Sequence, residues 1–160
     1  MELDLAPTLQ RTDEDFMQLA LDAARDAAAN GEVPIGAVVA LNGETVAVAR
    51  NSPIGLKDPT AHAEVLALRR AAAVVGNYRL IDATLYATVE PCVMCVGAAL
   101  QARVARVVFG CRDPKAGALG TVYDLGRDGR LNHRLAVTGD VAAAPARELL
   151  QLFFQSRRGA

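Results

Sequence analysis

The sequence predicts an α/β fold in which a sheet is sandwiched between helix layers. Three observations carry that prediction. Apolar residues at helical spacing alternate along the chain with short β-rich runs. Asn42-Gly43, the strongest short hairpin signal, joins two of those β-rich runs. The length of 160 residues suits a single domain with one well-formed core.

The elements follow in order. Residues 1–12 are expected to be a loose, disordered leader, and 13–160 a single domain. A helix is expected to begin after Thr12 or Asp13, either of which can cap it. Phe16, Leu19, Ala20, Ala23, Ala24 and Ala27 then recur at helical spacing, and Gly31 sits where a C-terminal cap belongs. "PIGAVVALNGETVAVARN" (34–51) reads as the hairpin. The loop "NSPIGLKDP" leads to a second long helix over about 60–75, with Pro59 in its first turn and Gly76 ending it. "TLYATV" (84–89) reads as a buried strand, which Glu90-Pro91 breaks. A helix over about 92–102 follows, then the strand "ARVVFGC". Residues 111–134, rich in Gly, Asp and Arg, read as a long functional loop. "RLAVTG" is a short strand, and a last helix runs from about Pro145 to Arg157. No internal repeat is visible.

Composition narrows the class of function. The formal net charge of −1 hides an asymmetry: residues 1–100 carry seven basic against thirteen acidic side chains, and residues 101–160 carry ten against five. The basic C-terminal part fits either a phosphate-rich partner or a solvated face. "MELDLAPTLQRTDEDF" is acidic and lacks the apolar run of a signal peptide. No uncharged apolar stretch approaches the ~18 residues of a membrane span, so no membrane partner is expected. Three cysteines without a secretion signal favour metal binding or buried thiols over a disulfide framework, and a cytoplasmic location.

The chemistry concentrates in two short stretches. "TAHAEVLAL" (60–68) carries His62 and Glu64 among small and aliphatic residues at a helix start. Two apart on a helix, they face different ways and make no stabilising pair. "PCVMC" (91–95) places Cys92 and Cys95 at i and i+3, on one side of a first helical turn. Thiolates are favoured there by the helix dipole and the free N–H groups. His62, Cys92 and Cys95 make three zinc ligands and leave a fourth position open, which is the catalytic rather than the structural pattern. Cys111 is a weaker candidate for a fourth ligand, since it ends a strand and has no partner at short spacing. Glu64 is not needed as a ligand. Zinc lowers the pKa of a bound water from ~15.7 toward ~7, and a carboxylate beside that water can take its proton and deliver it elsewhere. Each residue alone has an ordinary structural reading; H-x-E followed about 27 residues later by P-C-x-x-C is far more specific.

With those residues in place, the chain resembles the zinc-dependent cytidine/deoxycytidylate deaminase superfamily. "VPIGAVV", "NSPIGLKDPTAHAE", "NYRLIDATLYATVEPCVMCVGA", "RVVFGCRDPKAGALGT", "LNHR" and "FFQSRR" are similar, in order and spacing, to its tRNA-specific adenosine deaminase branch. The likeness runs from about residue 15 to 158. It implies a three-layer α/β/α cytidine deaminase-like fold around a five-stranded mixed sheet, one Zn2+ per subunit, and a homodimer whose neighbour helps shape each active site. It implies hydrolytic deamination of adenosine to inosine at wobble position 34 of a tRNA anticodon, in bacteria usually an arginine tRNA.

The resemblance also implies residue roles. His62, Cys92 and Cys95 would hold zinc. Glu64 would take the proton of the zinc-bound water, protonate N1 of adenine and serve the departing ammonia. Asn51 would hydrogen-bond the flipped base, against its plain role as a turn residue before Pro53. Backbone N–H groups near Ala63 and Cys92 would steady the substrate. Asp113 and Lys115 match a loop along the anticodon nucleotides, and Asn132, His133 and Arg134 match another. Phe154, Arg157 and Arg158 match a C-terminal helix that meets RNA, in line with the basic excess after residue 100. Two departures stand out. The chain ends soon after Arg158, where some relatives carry a lysine-rich extension, and Cys111 replaces a small residue and reads as a small buried side chain. Two other readings compete: a deaminase of a free base or nucleoside such as guanine or cytosine, and a zinc-stabilised RNA-binding module without catalysis. "RDPKAGALGT", "LNHR" and the FFxxRR ending weigh against the first, and Glu64 weighs against the second.

Overall fold

A computed structural model describes residues 10–159. Helix α1 (Asp13–Ala29) starts at Thr12, whose hydroxyl accepts from the Asp15 N–H while the Thr12 N–H donates to the Asp15 carboxylate. This reciprocal pair satisfies two of the donors a helix start leaves open. Asp13, Glu14 and Asp15 add negative charge where the dipole favours it. The buried face is Phe16, Met17, Ala20, Leu21, Ala24 and Ala27, so Leu19 and Ala23 lie at its margin rather than at its centre. Asn30 caps the C-terminus, and Gly31 follows with φ +78°. Of the expected leader, residues 1–9 lie outside the described residues. Arg11 donates to the Thr45 hydroxyl.

Strands β1 (Gly36–Leu41) and β2 (Glu44–Arg50) form the expected hairpin, with Asn42 and Gly43 both at positive φ. That is the paired left-handed turn whose twist matches antiparallel strands. Strand β1 also pairs antiparallel with β3 (Thr84–Val89); β3, β4 (Arg106–Cys111) and β5 (Ala136–Thr138) then run parallel. The sheet is mixed and five-stranded, in the order β2-β1-β3-β4-β5. Side chains alternate between its two faces. Val39, Leu85, Val107 and Phe109 pack with Leu66, Val96 and Leu100, from helices α3 (Ala63–Val75) and α4 (Val93–Gln101). Val38, Tyr86 and Val108 pack with Phe16, Met17, Leu21 and Ala146, from α1 and α5 (Ala143–Arg158). The result is the three-layer α/β/α arrangement expected.

Three boundaries differ from expectation. Helix α3 begins at Ala63 with His62 as its N-cap, because Asp58 accepts from the Thr60 N–H and hydroxyl and closes a separate turn that contains Pro59. The stretch read wholly as loop contains a short helix, α2 (Pro53–Leu56). Helix α5 starts before Pro145. No helix among the described residues is long and apolar enough to cross a membrane.

Gly36 shows how tightly α1 lies on the sheet. A Cβ there would stand 1.9 Å from the Ala20 carbonyl oxygen and 2.8 Å from the Ala24 nitrogen, both backbone atoms that cannot rotate away. Gly36→Ala is expected to destabilise the fold by about 1–3 kcal/mol, the range for overpacked cores, read as a lower urea midpoint.

Candidate active site

Two helix starts converge. His62 caps α3 and Cys92 caps α4, with Cys95 in the first turn of α4. Neither side chain makes a capping hydrogen bond to its helix, and the two turn toward each other. His62 Nδ1 lies 3.7 Å from Cys92 Sγ and 3.4 Å from Cys95 Sγ, and the three donor atoms all fall within 4.8 Å of one another. Tetrahedral zinc, with ~2.3 Å bonds to sulfur and ~2.05 Å bonds to nitrogen, sets sulfur and nitrogen about 3.6 Å apart. The residues therefore fit the ion in donor type, number and spacing. The Cys92 thiol is pulled down to about 3, chiefly by the Cys95 hydrogen bond and then by His62. The Cys95 thiol is pushed up, chiefly by the same Cys92 contact and then by burial. Zinc binding requires both thiols in the deprotonated form.

Glu64 stands in the first turn of α3, only 4% exposed. Its Oε1 is buried with no hydrogen-bond partner, the one such side-chain atom among the described residues. Burial pushes its carboxyl above the ordinary glutamate value, with contacts to Cys95 and His62 opposing in part. A buried oxygen without a partner is costly. It makes sense only if something absent from the bare chain, a water or a substrate atom, faces it.

Asn51 is buried, and its Oδ1 accepts from the Ala63 N–H at 2.9 Å. It thus fastens the start of α3, while its Nδ2 meets no protein group among the described residues. The Ala63 N–H, expected to steady the substrate, donates to Asn51 in this structure. Asp113 uses Oδ1 to accept from the Lys115 and Ala116 N–H groups, closing the turn that displays the exposed Lys115 side chain. Phe154 and the exposed Arg158 line a groove of about 360 Å³ with Cys111, Arg112 and Arg147. Arg157 faces elsewhere. It donates to the Gly31 carbonyl at 2.7 Å and stacks on Phe153. His133 Nε2 lies 2.7 Å from the Val104 carbonyl oxygen, beyond the far end of α4 from the zinc ligands. The nine residues of α4 span ~13 Å, so Asn132, His133 and Arg134 are not brought to this chain's own metal site. Cys111 is 1% exposed, stands outside the ligand cluster, and is the small buried side chain expected.

Sequence reasoning missed two carboxylates. Glu32 is buried and accepts from the Ile54 and Gly55 N–H groups, holding the loop that carries Asn51. Glu90, read only as a strand break, is 3% exposed and accepts from Asp113, Leu119 and Thr121. The one sequence signal was an acid ending an otherwise apolar strand.

Comparison with known proteins agrees with this geometry. The family model for the cytidine and deoxycytidylate deaminase zinc-binding region matches residues 10–111. The tRNA-specific adenosine deaminase of Haemophilus influenzae is 44% identical over 98% of this chain and 91% of its own length. A solved structure from a study of A-to-I editing by tRNA:A34 deaminases at the wobble position is 41% identical with a TM-score of 0.82, covering 84% of this chain and 98% of that one. Guanine deaminase from Bacillus subtilis is 38% identical with a TM-score of 0.64, over 69% of this chain and 71% of its own. With a zinc-ligand triad at two helix starts, a buried acid beside it and these matches, the chain belongs to the cytidine and deoxycytidylate deaminase family.

Proposed function

We propose that this chain hydrolyses adenosine to inosine at wobble position 34 of a tRNA anticodon. The observation that carries the chemistry is Glu64 Oε1, buried and unpartnered, two residues from His62 in the group His62, Cys92 and Cys95 that could hold a metal ion. The substrate rests on the relatives named for tRNA, which match nearly the whole chain and not the zinc-binding region alone. Zinc held by His62, Cys92 and Cys95 would supply Lewis acidity that readies a water for attack at neutral pH. Glu64 takes the proton from the attacking water and passes it to N1 of the adenine, then takes the proton of the new C6 hydroxyl and hands it to the amine, so that C6=O forms as the C6–N bond breaks and ammonia leaves. Burial keeps that carboxyl able to hold a proton between the steps. Asn51 is read as hydrogen-bonding the flipped base through Nδ2.

The test is an anticodon stem-loop with A34, offered to the zinc-loaded protein beside guanine and cytidine. Inosine in the RNA, with no turnover of the small substrates, is expected. Guanine turnover without RNA turnover would overturn the substrate. A non-catalytic RNA-binding module would bind the stem-loop and leave A34 intact.

Lys115, Phe154 and Arg158 are read as RNA contacts, in the cytoplasm where tRNA is used. Lys115→Ala and Arg158→Ala are each expected to weaken stem-loop binding and to reduce the slope of log K against log[salt] by about 1, measured by titration at several salt concentrations. Arg157 is read as acting through Gly31 rather than on RNA.

The homodimer is supported by the outer face of α4. Val93 and Leu131 are exposed there and line a groove of about 300 Å³ with Gly97 in its wall. Nothing stands within 4 Å of a Cβ built on Gly97, so a second helix can approach closely. A second copy across this face would bring its Asn132–Arg134 loop toward the first copy's zinc ligands, which this chain's own loop does not reach. Gly97→Arg is expected to yield monomers with little activity, measured by sedimentation and turnover.

A further inference from the structure

Every donor that meets Glu90 belongs to one segment. Oε1 accepts from the Asp113 N–H and the Thr121 hydroxyl; Oε2 accepts from the Leu119 N–H at 3.0 Å and the Thr121 N–H at 3.2 Å. The Ala118 N–H donates to the Pro91 carbonyl at 2.9 Å, and the Glu90 N–H to the Cys111 carbonyl at 2.8 Å. Gly117 makes room for this arrangement: a Cβ there would stand 2.4 Å from Glu90 Cδ. A carboxylate accepts at about four lone-pair sites and donates nothing, which matches a cluster of four donors. On its other side Glu90 runs through Pro91 directly into Cys92. One buried side chain thus ties the loop that displays Asp113 and Lys115 to the turn that carries a zinc ligand.

Loop closure alone does not require this. Leu119 is buried and its N–H needs a protein acceptor, but Thr121 is exposed and Asp113 half-buried, where water can satisfy the N–H groups. What a buried carboxylate adds is a fixed distance between loop and metal turn. We propose that Glu90 is a positioning residue for the RNA substrate. It holds the 113–121 loop in register with Cys92, so that the nucleotides beside the reacting adenosine meet a preformed surface. This rests on the reading that the loop meets RNA.

Glu90→Gln keeps the shape but turns one oxygen into a donor, which must then face an N–H or hydroxyl of the loop. In the zinc-loaded full chain, the amide protons of Asp113, Leu119 and Thr121 are expected to exchange faster. KM for the A34 stem-loop is expected to rise ~10-fold, with kcat at saturating RNA within ~2-fold and zinc content unchanged, the pattern of lost uniform binding. Thr121→Val, which removes one donor and leaves the carboxylate, is expected to raise KM in the same direction by less. Lys115→Ala separates the two readings. If it leaves RNA binding unchanged, the loop does not meet RNA and the reading beneath the proposal fails. If it weakens binding while Glu90→Gln loosens the loop without raising KM, the role of Glu90 alone is overturned. A fall in kcat for Glu90→Gln, with or without loss of zinc, overturns it too. Should Glu90→Gln not fold, Thr121→Val decides by itself, and an unchanged KM contradicts the proposal.

Discussion

Replacing Glu64 by glutamine is expected to lower turnover of the A34 stem-loop by ~10²–10⁴-fold, the range for a lost general acid-base group, while zinc content stays the same. Glutamine has nearly the same size but cannot carry a proton between water, N1 and the leaving amine. Stability should move the other way. Glu64 Oε1 has no partner, and burial disfavours its charge, so the wild-type chain carries a desolvation cost that a neutral amide relieves. The urea midpoint of the variant is therefore expected to be unchanged or raised. Loss of activity with gain of stability is the mark of a residue kept for chemistry. If the variant retained more than a tenth of wild-type turnover, Glu64 would not be the proton carrier.

Removing zinc is expected to abolish turnover and to cost stability as well. His62 and Cys92 sit at the caps of α3 and α4 without capping them, and Cys95 is fully buried. Held by these three residues, the ion would join two helix starts that the chain leaves facing each other. A ligand bound only by the folded state contributes ~4 kcal/mol when its free concentration is ~1,000 times Kd. For a domain of this size that is about 10 °C in Tm. Cys95→Ser is expected to lose most of the metal, measured by elemental analysis, and to melt near the temperature of the chelated wild type. Returning zinc should restore turnover in the wild type only. A Cys95→Ser protein with full zinc occupancy would contradict the ligand set.

The parts legible in the sequence were those whose signal is local. Asn42-Gly43 set the hairpin because two adjacent residues at positive φ suffice to do so. Gly76 ended α3 for the same reason. The convergence of His62, Cys92 and Cys95 was legible because i, i+3 spacing on a helix start and a matching H-x-E leave few arrangements open. Glu32 and Glu90 were not legible, since their donors lie 22 or more residues away and a buried acid looks like a surface acid in one dimension. The start of α3 was misplaced because Pro59 suits a first turn equally well, and only the Asp58–Thr60 contacts decide against it. Ala63 illustrates the same limit: its N–H is satisfied by Asn51, twelve residues back. Arg157 read as part of a basic run until its contact with Gly31, on the opposite side of the chain's length, gave it a partner.

The central claim is that this site adds water to C6 of a tRNA adenosine with Glu64 moving the protons. The most direct measurement is deamination of the A34 stem-loop by the zinc-loaded protein in ¹⁸O-labelled water, with the nucleosides then analysed by mass. The account predicts inosine carrying the label at C6, one ammonia released for each inosine formed, and neither product with Glu64→Gln. Unlabelled inosine, or labelled inosine formed at an undiminished rate by Glu64→Gln, would contradict it.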